Sequence, residues 1–123
     1  MKPQAVSLLV VYSSDIAQLS DFYRALGLDL VEEQHGSGPR HFSCRLGSTL
    51  LELYPAGERH PVGTLRFGLT VTDVDAVAQA AEGQGGSIVT APTDSPWGRR
   101  AVIADPDGNR VELNETMNLS EEG

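Results

Sequence analysis

Two glutamates and an arginine are the residues of this chain best suited to act on a ligand together. Glu112 lies in "RVEL", just after the turn "DPDG"; Glu52 lies in "LLEL", and Arg66 in "TLRFGLTV". Two carboxylates on one surface repel unless a cation or a proton stands between them. They therefore suit a divalent metal, a general base whose pKa is raised by its twin, or an ion-paired cluster built on the arginine. Three histidines could add to such a site. His35 in "EQHGSGPRH" and His60 in "GERHPVG" read as surface loop residues without ligand spacing, whereas His41 begins a strand and can face a cleft. Trp97, the only tryptophan, lies in "TDSPWGRR". It either covers a flat or cationic ligand or anchors its loop on Phe42 or Tyr54. Cys44 sits inside a strand-like run and reads as a small filler residue.

The elements that position these residues come in two sets. The first half reads as a strand over about 5–12, a helix over 15–26, and strands near 28–34, 40–46 and 49–54. Ile16, Leu19, Phe22 and Leu26 form the helix's apolar stripe, with Ser14 or Asp15 as cap and Gly27 as stop. After the connector "YPAGERHPVG" the order repeats: "TLRFGLTV", the helix "DVDAVAQAAEGQGG", and strands near 86–90, 99–104 and 109–114. One constant offset pairs Asp15 with Asp73, Ile16 with Val74, Leu19 with Val77 and Gly27 with Gly85. An offset two residues longer pairs Glu52 with Glu112. The expectation is an α+β fold of two βαβββ modules in tandem, about 5–55 and 64–115, in one domain of residues 1–123. The modules would form a curved mixed sheet around a cleft, and the polar tail 116–123 would fray.

Alternation along the strands assigns faces. Phe67, Leu69 and Val71 would pack under the helices, leaving Arg66, Gly68 and Thr70 to the cleft. Leu51 and Leu53 likewise pack inward while Leu50, Glu52 and Tyr54 face out, and Glu112 shares its side with Arg110 and Asn114. On the first strand Leu8, Val10 and Tyr12 would line the cleft. Glu52 and Glu112 then share one cleft, with Arg66 able to bridge both.

The stretches "SSDIAQLSDFYRALGLDLV" and "PWGRRAVIADPDGNRVEL", in this order and spacing, resemble the vicinal oxygen chelate superfamily. That group contains the glyoxalases, bleomycin resistance proteins and extradiol dioxygenases. The resemblance implies a glyoxalase/bleomycin-resistance-like fold and commonly a homodimer. In metal-dependent members four ligands come from equivalent positions of the two modules, which here are Leu8, Glu52, Arg66 and Glu112. Leucine cannot ligate, and a guanidinium stays protonated in proteins. The metal site is thus degenerate. No cofactor is expected, and a divalent metal returns only if other groups supply ligands.

The bulk properties narrow the partners. With a formal net charge of −8, the 123-residue chain lacks the clustered Lys and Arg that phosphate binding needs, which argues against nucleic acid. No segment is apolar and long enough to cross a membrane. A single cysteine fits a reducing cytoplasm. The leading expectation is a metal-free binding protein for a small organic ligand, a cationic one suiting the acidic chain. Arg66, Tyr12, Tyr54, Trp97 and His41 would bind the ligand. The alternative is a lyase, isomerase or dioxygenase of the same superfamily, metal-dependent or using Glu112 or Glu52 as base.

Overall fold

Asp15 and Asp73 start the two helices in the same way. Each has extended backbone, and its carboxylate accepts the amide of the residue three further on, Gln18 and Ala76 respectively. The computed structural model describes residues 1–115, so the expectations for 116–123 lie outside the described residues. Module 1 comprises β1 (Leu8–Ser13), α1 (Ile16–Ala25), β2 (Val31–Glu33), β3 (His41–Leu46) and β4 (Thr49–Pro55). Module 2 comprises β5 (Arg66–Val71), α2 (Val74–Gly83), β6 (Ser87–Ser95), β7 (Gly98–Ala104) and β8 (Arg110–Glu115). Gly27 and Gly85, paired by the sequence offset, both take positive φ just beyond their helices, a conformation that favours glycine.

Each module forms its own four-stranded sheet, in the order β1-β4-β3-β2 and β5-β8-β7-β6. The parallel pairs β1–β4 and β5–β8 set Glu52 opposite Val10 and Glu112 opposite Gly68. Val10 and Gly68 are themselves equivalent in the repeat, so the tandem pattern holds down to register. β1 and β5 each pair on one side only among the described residues. No helix there is long and apolar enough to cross a membrane.

The helix-facing sides of both sheets feed one core. Val11, Leu51 and Leu53 from module 1 join Leu19, Phe22 and Tyr23 of α1, and Ala101, Ile103, Val111 and Leu113 from module 2. Each large side chain fully withdrawn from water stabilises the fold by about 1.5–3 kcal/mol before entropy is counted. Because the helix sides share this core, the opposite faces of the two sheets lie outside it.

A polar joint locks the modules together. The Tyr23 hydroxyl, fully buried, donates to Asp105 Oδ2 at 2.7 Å, and Asn109 Nδ2 donates to the same oxygen at 2.9 Å. The amides of Asp107 and Asn109 complete the Asp105 carboxylate, so this buried charge is fully hydrogen-bonded. Burial, and then Asp105 beside it, push the Tyr23 hydroxyl well above the usual phenol range. Asp107 in turn accepts the hydroxyls of Ser13 and Ser14, both at 2.6 Å.

Two boundaries depart from the sequence reading. β2 starts at Val31 because the chain is still leaving α1: the Leu28 amide donates to the Tyr23 carbonyl, and Arg24 donates to Leu30 O. β6 runs to Ser95 instead of stopping near 90, through register shifts between Ile88 and Thr93. "TDSPWGRR" is therefore a hairpin rather than a loop, closed by Ser95 opposite Gly98 with the Ser95 hydroxyl donating to Gly98 O.

Candidate functional site

The outer face of the first sheet carries one transverse row of rings and polar groups. Tyr12 on β1 lies in register with Tyr54 on β4, and His41 on β3 with Glu33 on β2. Tyr54 and His41 close the row by stacking, with centroids 4.3 Å apart and planes within 7°. The connector adds His60, which stacks on Tyr12 at 3.8 Å and is held by the Gly57 amide donating to its Nδ1. Glu52 lies on this same face, with Oε2 3.7 Å from His41 Nε2. Burial, and then the carboxylates of Glu52 and Glu33, raise the Tyr54 hydroxyl above the ordinary phenol range, so it remains a hydrogen-bond donor at neutral pH.

The outer face of the second sheet is cationic. Glu112 receives Arg66 Nε at 3.0 Å on one oxygen and Arg100 Nη2 at 3.1 Å on the other. Strand alternation puts Arg110 on the same side. These guanidiniums, Arg66 first, hold the Glu112 carboxyl below the usual carboxylate range. One carboxylate among three arginines leaves this face positive although the chain is acidic overall.

The expected bridge from Arg66 to both glutamates is replaced by two separate arrangements. Arg66 and Arg100 engage Glu112, while Glu52 faces His41 and makes no ion pair with Arg66 among the described residues. The cause is the shared core, which turns the two site-bearing faces away from each other within one chain. Trp97 stands at the β6–β7 hairpin tip, 83% exposed, and does not anchor on either expected partner. Phe42 is instead capped by the Arg24 guanidinium at 5.2 Å, and Tyr54 by His41.

Two residues read from sequence as plain surface loops belong to the first face: His60 on Tyr12, and His35, whose ring lies 5.2 Å from His41. The available signal for His35 was its spacing of two from Glu33, which keeps both on one side of an extended chain. A separate cavity lies away from both faces. It is an open apolar groove of about 600 Å³ between the modules, lined by Leu9, Leu51, Phe67 and Leu69 with Val6 at its rim.

The four positions that the resemblance implies as metal ligands are Leu8, Glu52, Arg66 and Glu112. Leu8 offers no donor atom, Arg66 brings a positive charge, and both Glu112 oxygens are already engaged by guanidiniums.

Comparison with known proteins agrees with this architecture. TnmS3, described as an antibiotic binding protein from Streptomyces sp. CB03234, superposes with a TM-score of 0.76 at 34% identity, covering 95% of this chain and 99% of that one. A protein of Mycolicibacterium smegmatis is 31% identical over 110 residues, 89% of this chain and 91% of its own length. The anthracycline biosynthesis protein DauV of Streptomyces sp. (strain C5) is 32% identical over 98% of this chain, which spans only 46% of DauV. Residues 5–113 match the model of the Glyoxalase/Bleomycin resistance protein/Dioxygenase superfamily. With that match covering the first module and all but the last two residues of the second, the chain belongs to this superfamily.

Proposed function

We propose that this protein binds a flat, aromatic small molecule of the antibiotic type, as a homodimer, without a metal at the superfamily position. The observation that carries the reading is the row of rings on the first sheet, with Tyr12 and His60 stacked at one end and Tyr54 and His41 at the other. Stacked rings present π surface that a planar ligand can extend, and the Tyr54 hydroxyl supplies a donor at its edge. The likeness to TnmS3, itself described as an antibiotic binding protein, supports an antibiotic as the kind of ligand, and the ring row supports its being flat and aromatic.

In the proposed dimer β1 of one copy lies beside β5 of the other, so each site combines the first sheet of one chain with the second sheet of its partner. Three observations favour this. β1 and β5 are the end strands of their sheets among the described residues; the first face carries Glu33 and Glu52 where the second carries arginines; and an apolar groove with exposed Val6 at its rim adjoins these strands, near exposed Leu8 on β1. Opposite charges across such a cleft set register and orient a ligand with a cationic end and carbonyl or phenol oxygens. Tyr12, Tyr54 and His41 then form the stacking floor, Arg66 and Glu112 the polar wall, and Trp97 a lid. Glu112, kept ionised by arginines, is a weak proton acceptor, which counts against it as a general base.

Calorimetric titration in EDTA with an anthracycline and with a non-aromatic aminoglycoside tests the ligand class. Saturable anthracycline binding, one per chain, is expected. Failure of every planar polycyclic compound to bind, or binding of the aminoglycoside alone, would overturn the stacking reading. Sedimentation velocity checks the assembly, and a monomer at tens of micromolar would remove the shared-cleft part.

A further inference from the structure

We infer that Glu33, His35 and His41 form a binding site for one divalent transition metal, with Glu52 in reach as a further donor. One ligand atom from each of Glu33, His35 and His41 lies within 4.8 Å of the others, close enough to converge on one ion. None of these three belongs to the set Leu8, Glu52, Arg66 and Glu112.

His41 carries the argument. It is 1% exposed, and its Nδ1 lies 3.2 Å from the Pro39 carbonyl oxygen. With the Nδ1 proton donated there, Nε2 presents a lone pair, the arrangement that orients metal-binding imidazoles. That Nε2 is buried and has no hydrogen-bond partner. It points toward the Glu52 carboxylate 3.7 Å away. A buried lone pair facing a half-buried carboxylate calls for a positive charge between or beside them.

The neighbouring groups are placed to supply a metal's remaining shell. The Ser43 hydroxyl donates to Glu33 Oε1, which leaves Oε2 directed at His35 Nε2, 3.3 Å away. The β2–β3 register sets Glu33 opposite His41, so sheet pairing fixes two of the three ligands. His35 is largely exposed and leaves the site open to solvent or to a bound ligand. Two imidazoles and one or two carboxylates select zinc, cobalt or nickel over magnesium or calcium, and two carboxylates balance the charge of a divalent ion.

Tag-free protein stripped with EDTA and titrated with cobalt(II) and zinc(II) tests the site. The expected result is one equivalent bound, with a visible cobalt d–d band displaced by zinc. His35→Ala, at an exposed position that spares the fold, and His41→Gln should each weaken binding by about tenfold or more. Glu82→Gln, an exposed carboxylate on α2 outside both faces, should bind as wild type does. Loss of binding in Glu112→Gln with binding kept in His35→Ala would place the ion at the superfamily position and overturn the assignment. So would equal binding by wild type and His35→Ala. No binding of either ion by wild type would overturn it as well. Because the anthracycline titration is run in EDTA, its outcome is independent of these.

Discussion

Glu52 and Glu112 hold the same register in their modules, opposite Val10 and Gly68, yet their surroundings are of opposite kind. Two guanidiniums clamp Glu112, while Glu52 faces a buried imidazole with an unpartnered nitrogen. Equivalent backbone positions have thus become an arginine-neutralised wall on one sheet and an acidic, histidine-bearing floor on the other. The difference arises at neighbouring positions. Arg66 stands where Leu8 stands in the first module, and Arg100 reaches in from β7.

The arginine clamp makes a pH signature. Glu112 stays ionised in the folded chain at a pH where the unfolded chain, with a carboxylate pKa of about 4.3, begins to bind a proton. Its stabilising contribution is present above that value and is lost as pH falls through the lower folded one. Glu112→Gln should therefore lower the urea midpoint at pH 7, and the gap to wild type should close in acid. A gap that widens below pH 4 would contradict the clamp.

Tyr23 gives the opposite dependence. Its hydroxyl is held protonated in the fold well above the ordinary phenol pKa of about 10, so its contribution is intact below that pH and is lost as pH rises further. Tyr23→Phe should cost about 1.5–3 kcal/mol at pH 7, the usual value for a hydrogen bond to a charged group. The mutant should also show a shallower loss of stability between pH 10 and 11, measured by denaturant unfolding. Parallel wild-type and mutant curves across that interval would remove the Tyr23–Asp105 bond as the cause.

The repeat was legible because it rests on local rules. Aspartate caps, a glycine stop and alternating apolar residues placed both helices and put Glu52 and Glu112 at equivalent points. What sequence could not show were the long-range pairings. Nothing local in "DPDG" announces that Asp105 will meet Tyr23, 82 positions away. His35 looked like loop because its partner His41 is reached only through the β2–β3 register, after a glycine-rich turn. Within one chain Arg66 does not bridge the two glutamates, for a related reason. Strand alternation tells which face a side chain takes, but not which module's face packs against which.

Gly63 guards the joint between modules. It has φ of 78°, and a Cβ there would lie 2.1 Å from the backbone oxygen of Asp107, whose side chain holds Ser13 and Ser14. Backbone cannot yield as a flexible side chain would. Gly63→Ala should destabilise by at least about 1–3 kcal/mol, the usual cost of a forced backbone conformation. Gly57→Ala in the same connector meets only ordinary contacts with His60 and should be far milder. Similar unfolding midpoints for the two would show that the connector adjusts freely at Gly63.

The ring row predicts a graded loss of ligand affinity. Tyr54 stacks on His41 and neighbours Tyr12, so Tyr54→Ala removes the middle of the platform. Anthracycline binding in EDTA should weaken by about tenfold, the upper end of what ring stacking adds beyond buried area. Tyr12→Ala, at the end shared with His60, should have a smaller effect. Arg66→Gln should weaken ligands that carry carbonyl or phenol oxygens while leaving a bare polycyclic hydrocarbon dye unaffected, because only the former meet the cationic wall. Isothermal titration of the three variants against both compounds gives the pattern. If Tyr54→Ala binds as wild type does, the ligand must lie elsewhere, and the apolar groove lined by Leu9, Leu51, Phe67 and Leu69 becomes the site to probe.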